Sequence, residues 1–159
     1  MDEPFIQKYL AMQRELRPDP PPPGYTYNGL HGQNYPIAAD QTSPGPFMVE
    51  PKQCFDNAYR LARRWPKRYR YVEGIACGII PMHHAWVLNA AGEVVDPTWS
   101  LYSRLGTEYF GVIIPLDIAK QVRNRKCLSI IDNWSSRWPL FREPWPVILE
   151  RKTILDTKL

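Results

Sequence analysis

The stretch that most limits how this chain can fold is HAWVLNAAGEVVDPTW, residues 84–99. Two runs of strand-forming residues, HAWVLN (84–89) and EVVDPTW (93–99), flank a short break with Ala91-Gly92 at the turn. Glycine supplies the positive φ that a tight turn needs, so the stretch predicts a hairpin. If strands 84–89 and 93–97 pair around a loop centred near 91, opposed positions sum to about 181. His84 and Asp96 sum to 180, which places an imidazole and a carboxylate side by side or one step apart. Cross-strand neighbours stand about 5 Å apart at Cβ.

Two further runs read as strands: RYVEGIACGII (70–80) and EYFGVIIP (108–115). The best helix is PKQCFDNAYRLARRW (51–65). Pro51 suits a first-turn position, and Pro66 ends the run. Cys54, Ala58, Leu61, Ala62 and Trp65 follow helical spacing and share one face, which must pack on the sheet. Residues 3–17 form a second amphipathic helix through Phe5, Ile6, Tyr9, Leu10 and Leu16. PDPPPPG (18–24) stops it and favours extended polyproline backbone. Asp117 is placed to cap a helix over 118–126, and a short aromatic segment, 129–141, follows.

These elements predict one α+β domain, a helix packed on an antiparallel sheet. Residues 1–50 would be a helix plus an irregular Pro-rich arm, 51–149 the core, and 150–159 a charged tail. The 159 residues suffice for one real core. No apolar run approaches the roughly 20 residues that span a bilayer, so no membrane partner is expected. MDEPFIQKYL lacks an apolar signal region, which predicts a cytoplasmic protein. Net charge is +4 and spread out; its densest cluster, RRWPKRYRY (63–71), reads as a solvated helix end and loop. No motif points to nucleic acid. Three cysteines, widely spaced and with no zinc-finger spacing to each other or to histidine, predict reduced thiols and neither disulfides nor a metal site.

A cysteine near a helix N-terminus is chemically useful. Free backbone N–H groups and the helix dipole favour a thiolate and can stabilise an oxyanion. An imidazole can take the thiol proton and later give it to a leaving group. A carboxylate on the other ring nitrogen fixes the tautomer and steadies the imidazolium. Cys54, His84 and Asp96 are candidates for these roles, and none of the chemistry requires a cofactor.

HAWVLNAAGEVVDPTW resembles the His and Asp motifs of the transglutaminase-like superfamily, in which HAW opens one strand and DPT closes the next. QCFDNAYRLA resembles that family's nucleophile helix, and RYVEGIA the strand between them. The order Cys, His, Asp matches as well. The resemblance covers about residues 54–99. It implies a papain-like core with Cys54 as nucleophile, His84 as base and Asp96 as orienting acid. It also selects His84 over His83, since adjacent strand residues face opposite sides. The Cys-to-His interval is only 30 residues, so the core is compact. An upstream oxyanion-hole side chain has no clear counterpart; Gln53, Gln33 and Asn34 are candidates.

The remaining candidates read as structural. Cys77 lies in an apolar strand and Cys127 ends a helix. Trp86 and Trp99 belong to the core, and Trp134, Trp138 and Trp145 cover it. His31 has no evident partner. The expected activity is a cysteine-dependent hydrolase or acyl-transferase acting on an amide bond of a protein or peptide substrate. The alternative is a non-catalytic binding or regulatory protein that keeps the fold.

Overall fold

The computed structural model describes residues 5–16, 26–27, 30–123 and 128–131. Cys127, Trp134, Trp138, Trp145, most of the segment 129–141 and the tail from 150 lie outside the described residues. The elements in chain order are α1 (Phe5–Leu16), β1 (Thr26–Tyr27), β2 (Leu30–His31), β3 (Gln33–Asn34) and α2 (Cys54–Arg64). There follow β4 (Arg70–Cys77), β5 (Pro81–Leu88), β6 (Val94–Val95), α3 (Pro97–Ser100), β7 (Glu108–Ile113) and α4 (Leu116–Val122). The fold is α+β: a five-stranded antiparallel sheet, ordered β3-β7-β4-β5-β6, with helices against it. Among the described residues no helix is long and apolar enough to cross a membrane.

Central β4 is buried from Tyr71 to Cys77, so its sequence reads as a continuous apolar run rather than an alternation. One face carries Tyr71, Ala85, Val87, Val112 and Ile114, and packs under Ala58, Leu61 and Ala62 of α2. Further along that face Ile75, Cys77 and Phe110 pack under Ile6 and Leu10 of α1. The other face carries Val72, Ala76, Trp86, Leu88, Val94 and Tyr109.

That second face is the inside of a curl. Asn34 pairs with Phe110 on β7, while Ile37, three residues on, bridges to Val94 of β6. Three residues reach about 11 Å at most. In a flat sheet the two positions would be five strand spacings apart, about 24 Å. The sheet must therefore close on itself, with the arm stitching its two edges. Val94 N–H donates to Pro36 O at 2.7 Å and Ala38 N–H to Val94 O at 3.0 Å. Residues 35–38 are thus built into the core, and Tyr35 and Ala38 are buried.

Several local expectations change. Pro51 is not in the helix: Lys52 adopts a left-handed φ of 63°, which breaks the chain before Cys54, so α2 begins at Cys54 itself. Trp65 is the C-cap of α2 and packs against the same core cluster as Ala58, Leu61 and Ala62. The predicted strand 93–99 stops at Val95, because Pro97 opens α3 and Asp96 caps it. The last helix starts at Leu116 after Pro115, with Asp117 in its first turn rather than at its cap. Gly92 does take the expected positive φ, 82°. Arg63, Arg64, Lys67, Arg68 and Arg70 are exposed, as a solvated helix end and loop requires.

Glu73 is the buried carboxylate of the helix-covered face. It accepts hydrogen bonds from Tyr71 Oη at 2.6 Å, Ser129 Oγ at 2.8 Å and the N–H groups of Ile130 and Ile131 at 2.8 and 3.0 Å. These bonds anchor segment 128–131 to the sheet, while burial raises the carboxyl pKa.

Two strand glycines set the spacing below the site. A Cβ on Gly74 would stand 2.1 Å from Phe110 O, and one on Gly111 would stand 2.7 Å from the Trp86 ring. Both contacts are backbone or core, with nowhere to move. Gly74→Ala should therefore lower stability by about 3 kcal/mol, the upper end of the overpacking range, in urea denaturation. Wild-type stability in that variant would refute the close approach of β4 to β7.

Candidate active site

Asp96 occupies two positions at once. As the N-cap of α3 its Oδ1 accepts from Thr98 N–H and Trp99 N–H, each at 3.0 Å. Its Oδ2 accepts from His84 Nε2 at 2.7 Å and from Tyr109 Oη at 2.9 Å. Four donors therefore fix a carboxylate that is wholly buried. Its backbone N–H donates to Gln41 Oε1 at 2.8 Å, and the Gln41 amide donates in turn to Ala38 O and Val94 O. The arm thus holds the aspartate from behind.

The hairpin register explains how His84 reaches it. Val87 opposes Val95 and Leu88 opposes Val94, so opposed positions sum to 182, not 181. Continuing that register past the end of β6 sets Asp96 opposite Trp86, with His84 diagonal to it on the same face. A sum of 181 would have turned the two side chains to opposite faces.

His84 lies inside the curl, the face away from the body of α2. The helix packs on the sheet as expected, on the face opposite His84: Ala85 and Val87, not His84, cluster with Ala58 and Leu61. Cys54 instead approaches at an edge. β6 ends at Val95, leaving the side of β5 away from β4 without a strand neighbour from Trp86 back to Pro81. The N-terminal end of α2 and the short α3 meet β5 there. Cys54, the first residue of α2, lies close enough to His84 for its charge to act on the imidazole. With Nε2 committed to Asp96, the Nδ1 side is left for the thiol. Cys54 is partly exposed, whereas His84 is 2% exposed.

The surroundings favour imidazolium. Burial alone would lower the His84 pKa, but the hydrogen bonds and charges of Asp96 and Cys54 outweigh it and raise the value to about 9. The Trp99 ring stacks on the imidazole at 4.1 Å between centroids, with Trp86 at 6.4 Å. An aromatic face over a cationic ring is attractive. The Tyr109 hydroxyl accepts from Gly106 N–H at 2.9 Å while donating to Asp96, and burial beside that carboxylate raises its pKa strongly.

Asn57, one turn after Cys54, is also buried. Its amide donates to Glu50 O at 2.7 Å and to Thr98 Oγ1 at 3.1 Å, and its Oδ1 accepts from Glu50 N–H at 2.9 Å. It ties the loop before Cys54 to the first turn of α3, and so sets the thiol against the Asp96 cap.

The structure thus brings Cys54, His84 and Asp96 together. His83 alternates to the opposite face, opposed to Ile75. Cys77 is buried in the α1 cluster. The oxyanion candidates fare differently. Gln53 is the N-cap of α2, exposed, with no side-chain capping bond. Gln33 and Asn34 lie in β3 and are exposed; Gln33 bonds Tyr35, and Asn34 faces away from the His84 side. Neither hydrogen-bonds Cys54 or His84 among the described residues. Tyr109, Gln41 and Asn57 were missed, because each acts through a long-range contact with no sequence spacing to mark it. No group of residues among those described has the arrangement of a metal site. No protein-family model, no curated protein and no solved structure matches this chain.

The His84 pKa carries a stability consequence. It is raised from 6.5 to about 9, so its stabilising contribution is complete below about pH 6.5 and is lost as pH rises through about 9. The melting temperature of the wild type should fall more between pH 6 and pH 10 than that of His84→Gln. Parallel pH profiles would mean that His84 gains no proton affinity on folding. Tyr109→Phe leaves the buried Gly106 N–H without its acceptor and should cost about 1–3 kcal/mol in urea denaturation; an unchanged midpoint would remove Tyr109 from the network.

Proposed function

We propose that this protein is a cysteine-dependent hydrolase or acyl-transferase that cleaves an amide bond of a protein or peptide through a Cys54 thioester. The observation that carries the reading is the buried His84–Asp96 pair, bonded through Nε2 at 2.7 Å, with Cys54 close enough to act on the same imidazole. A helix beginning at the cysteine, packed on an antiparallel sheet that supplies histidine and then aspartate, supports a papain-like, transglutaminase-like core. A cytoplasmic setting, where thiols stay reduced, suits such an enzyme.

In this mechanism the Cys54 thiolate attacks the amide carbonyl and a C–S bond forms. First-turn N–H groups of α2 and the neighbouring Gln53 side chain face the developing oxyanion. Collapse breaks the C–N bond, and the amine leaves with the His84 proton. Water, or a second amine, then gives its proton to His84 and attacks the thioester. The acid or new amide departs and the Cys54–His84 pair is restored. Asp96 and Tyr109 touch no reacting atom; they position the imidazole. A second reading is a non-catalytic binding protein that keeps this fold; among the described residues no side chain is hydrogen-bonded to Cys54 as an oxyanion donor would be placed.

The nucleophile is tested by alkylation. Iodoacetamide near pH 7 should modify Cys54 at least tenfold faster than Cys77, read by mass spectrometry of partly labelled protein. His84→Ala should abolish that preference and His83→Ala should spare it. Equal rates at the two thiols in the wild type would overturn the thioester reading.

Asp96→Asn separates structure from chemistry. Asn is as good an N-cap, so α3 and the melting temperature should survive. Its NH₂ would donate to Nε2 and hold the ring proton on Nδ1, the wrong tautomer for accepting the thiol proton. In a serine-protease triad the same change costs about 10⁴ in rate; a smaller loss is expected here, because a preformed ion pair leans less on the third member. Full turnover by the folded variant would reduce Asp96 to a cap.

A further inference from the structure

Beside the site runs an open groove of about 1250 Å³, starting at Trp99, which stacks on His84, and at Lys52, two residues before Cys54. Its floor is apolar yet uncovered. Ile79 is 94% exposed and Ile80 61%, with Met82 and Tyr102 also exposed. So much contiguous bare aliphatic surface marks a binding site rather than a solvated loop. Its only charged lining residues are Lys52 and Arg104, both exposed and without a carboxylate partner among the described residues. Among the described residues the two non-glycine positions with left-handed backbone, Lys52 at φ 63° and Ser103 at φ 54°, both line this groove. Strain of that kind collects at ligand-binding sites.

We infer that the groove selects the acyl donor, an extended peptide segment that combines bulky apolar side chains with an acidic one. The inference rests on the thioester reading for the words acyl donor, and on the groove alone for the recognition. The volume exceeds that of common small-molecule sites, about 300–1000 Å³. At the start of β5, before α2 and α3 meet it near His84, Pro81 and Met82 have no strand partner on their outer side, so an extended peptide can lie beside them. Met82 shares the His84 face of β5, so such a strand would lead its apolar side chains along Met82, Ile79 and Ile80 toward Cys54. The carboxylate would sit at the Lys52 and Arg104 rim. Basic peptides would meet like charge there, and polar peptides would leave the aliphatic floor wet.

Binding to Cys54→Ala protein tests recognition without turnover. Three fluorescent decapeptides of one backbone length would be compared by anisotropy: apolar with acidic residues, apolar with basic residues, and polar with acidic residues. The first should bind at least tenfold more tightly than either other, and its advantage over the basic peptide should shrink with salt. Lys52→Glu/Arg104→Glu should invert the acidic-to-basic preference. Should that variant melt early, Lys52→Gln/Arg104→Gln should abolish the preference instead. Equal binding of acidic and basic peptides to the unaltered rim, or an unchanged preference in the charge variants, overturns the inference. Selective alkylation of Cys54 is scored separately: its loss defeats the thioester reading while the peptide ranking still decides the groove.

Discussion

The Asp96 carboxylate joins three parts of the molecule that have no local reason to meet. One oxygen starts α3 by accepting two backbone N–H groups, and the other holds His84 and Tyr109. Burying a carboxylate is costly unless its lone pairs are filled, and here four donors fill them. The arm contributes as well, since Gln41 grips the Asp96 backbone. Moving any of these groups would leave a buried polar atom unpaired. The position of the imidazole is therefore over-determined by the fold, which is the preorganisation that general acid–base chemistry requires.

The curl of the sheet decides what kind of environment that imidazole has. Trp86, Trp99 and Tyr109 crowd the inner face around it, and Gly74 and Gly111 give the strands room to approach under Trp86. The pair is buried there, so the interactions of Asp96 and Cys54 with the ring act at low dielectric and overcome its desolvation. Helix α2 covers the outer face and reaches the histidine only with its N-terminal end, around the part of β5 that β6 leaves open. The edge that admits the thiol also exposes the groove lined by Met82 and Ile79. Access to the thiol and its approach to His84 thus share one cause, the early end of β6 at Val95.

Glu73 shows the same economy on the outer face. It is a second buried carboxylate filled by donors, but its partners are Tyr71, Ser129 and the backbone of 130–131. Its work is anchoring: it fastens the segment after α4 across the sheet.

Sequence alone determined the parts that depend on neighbours in the chain. Helical spacing around Cys54, the turn at Gly92, the strand runs and the Cys, His, Asp order were all legible, because period and turn chemistry are local. Asp96 was read there as the partner of His84, and the fold makes it the N-cap of α3 as well. A one-residue uncertainty in register was invisible locally yet decides whether His84 and Asp96 share a face. Tyr109, Gln41 and Asn57 could not be read at all, since their partners lie 13 to 55 residues away. Only tertiary structure decided that the sheet curls, which face is inside, and where its edge stays open. Those outcomes follow from closing distant strands on one another, and no periodicity in the chain encodes that closure.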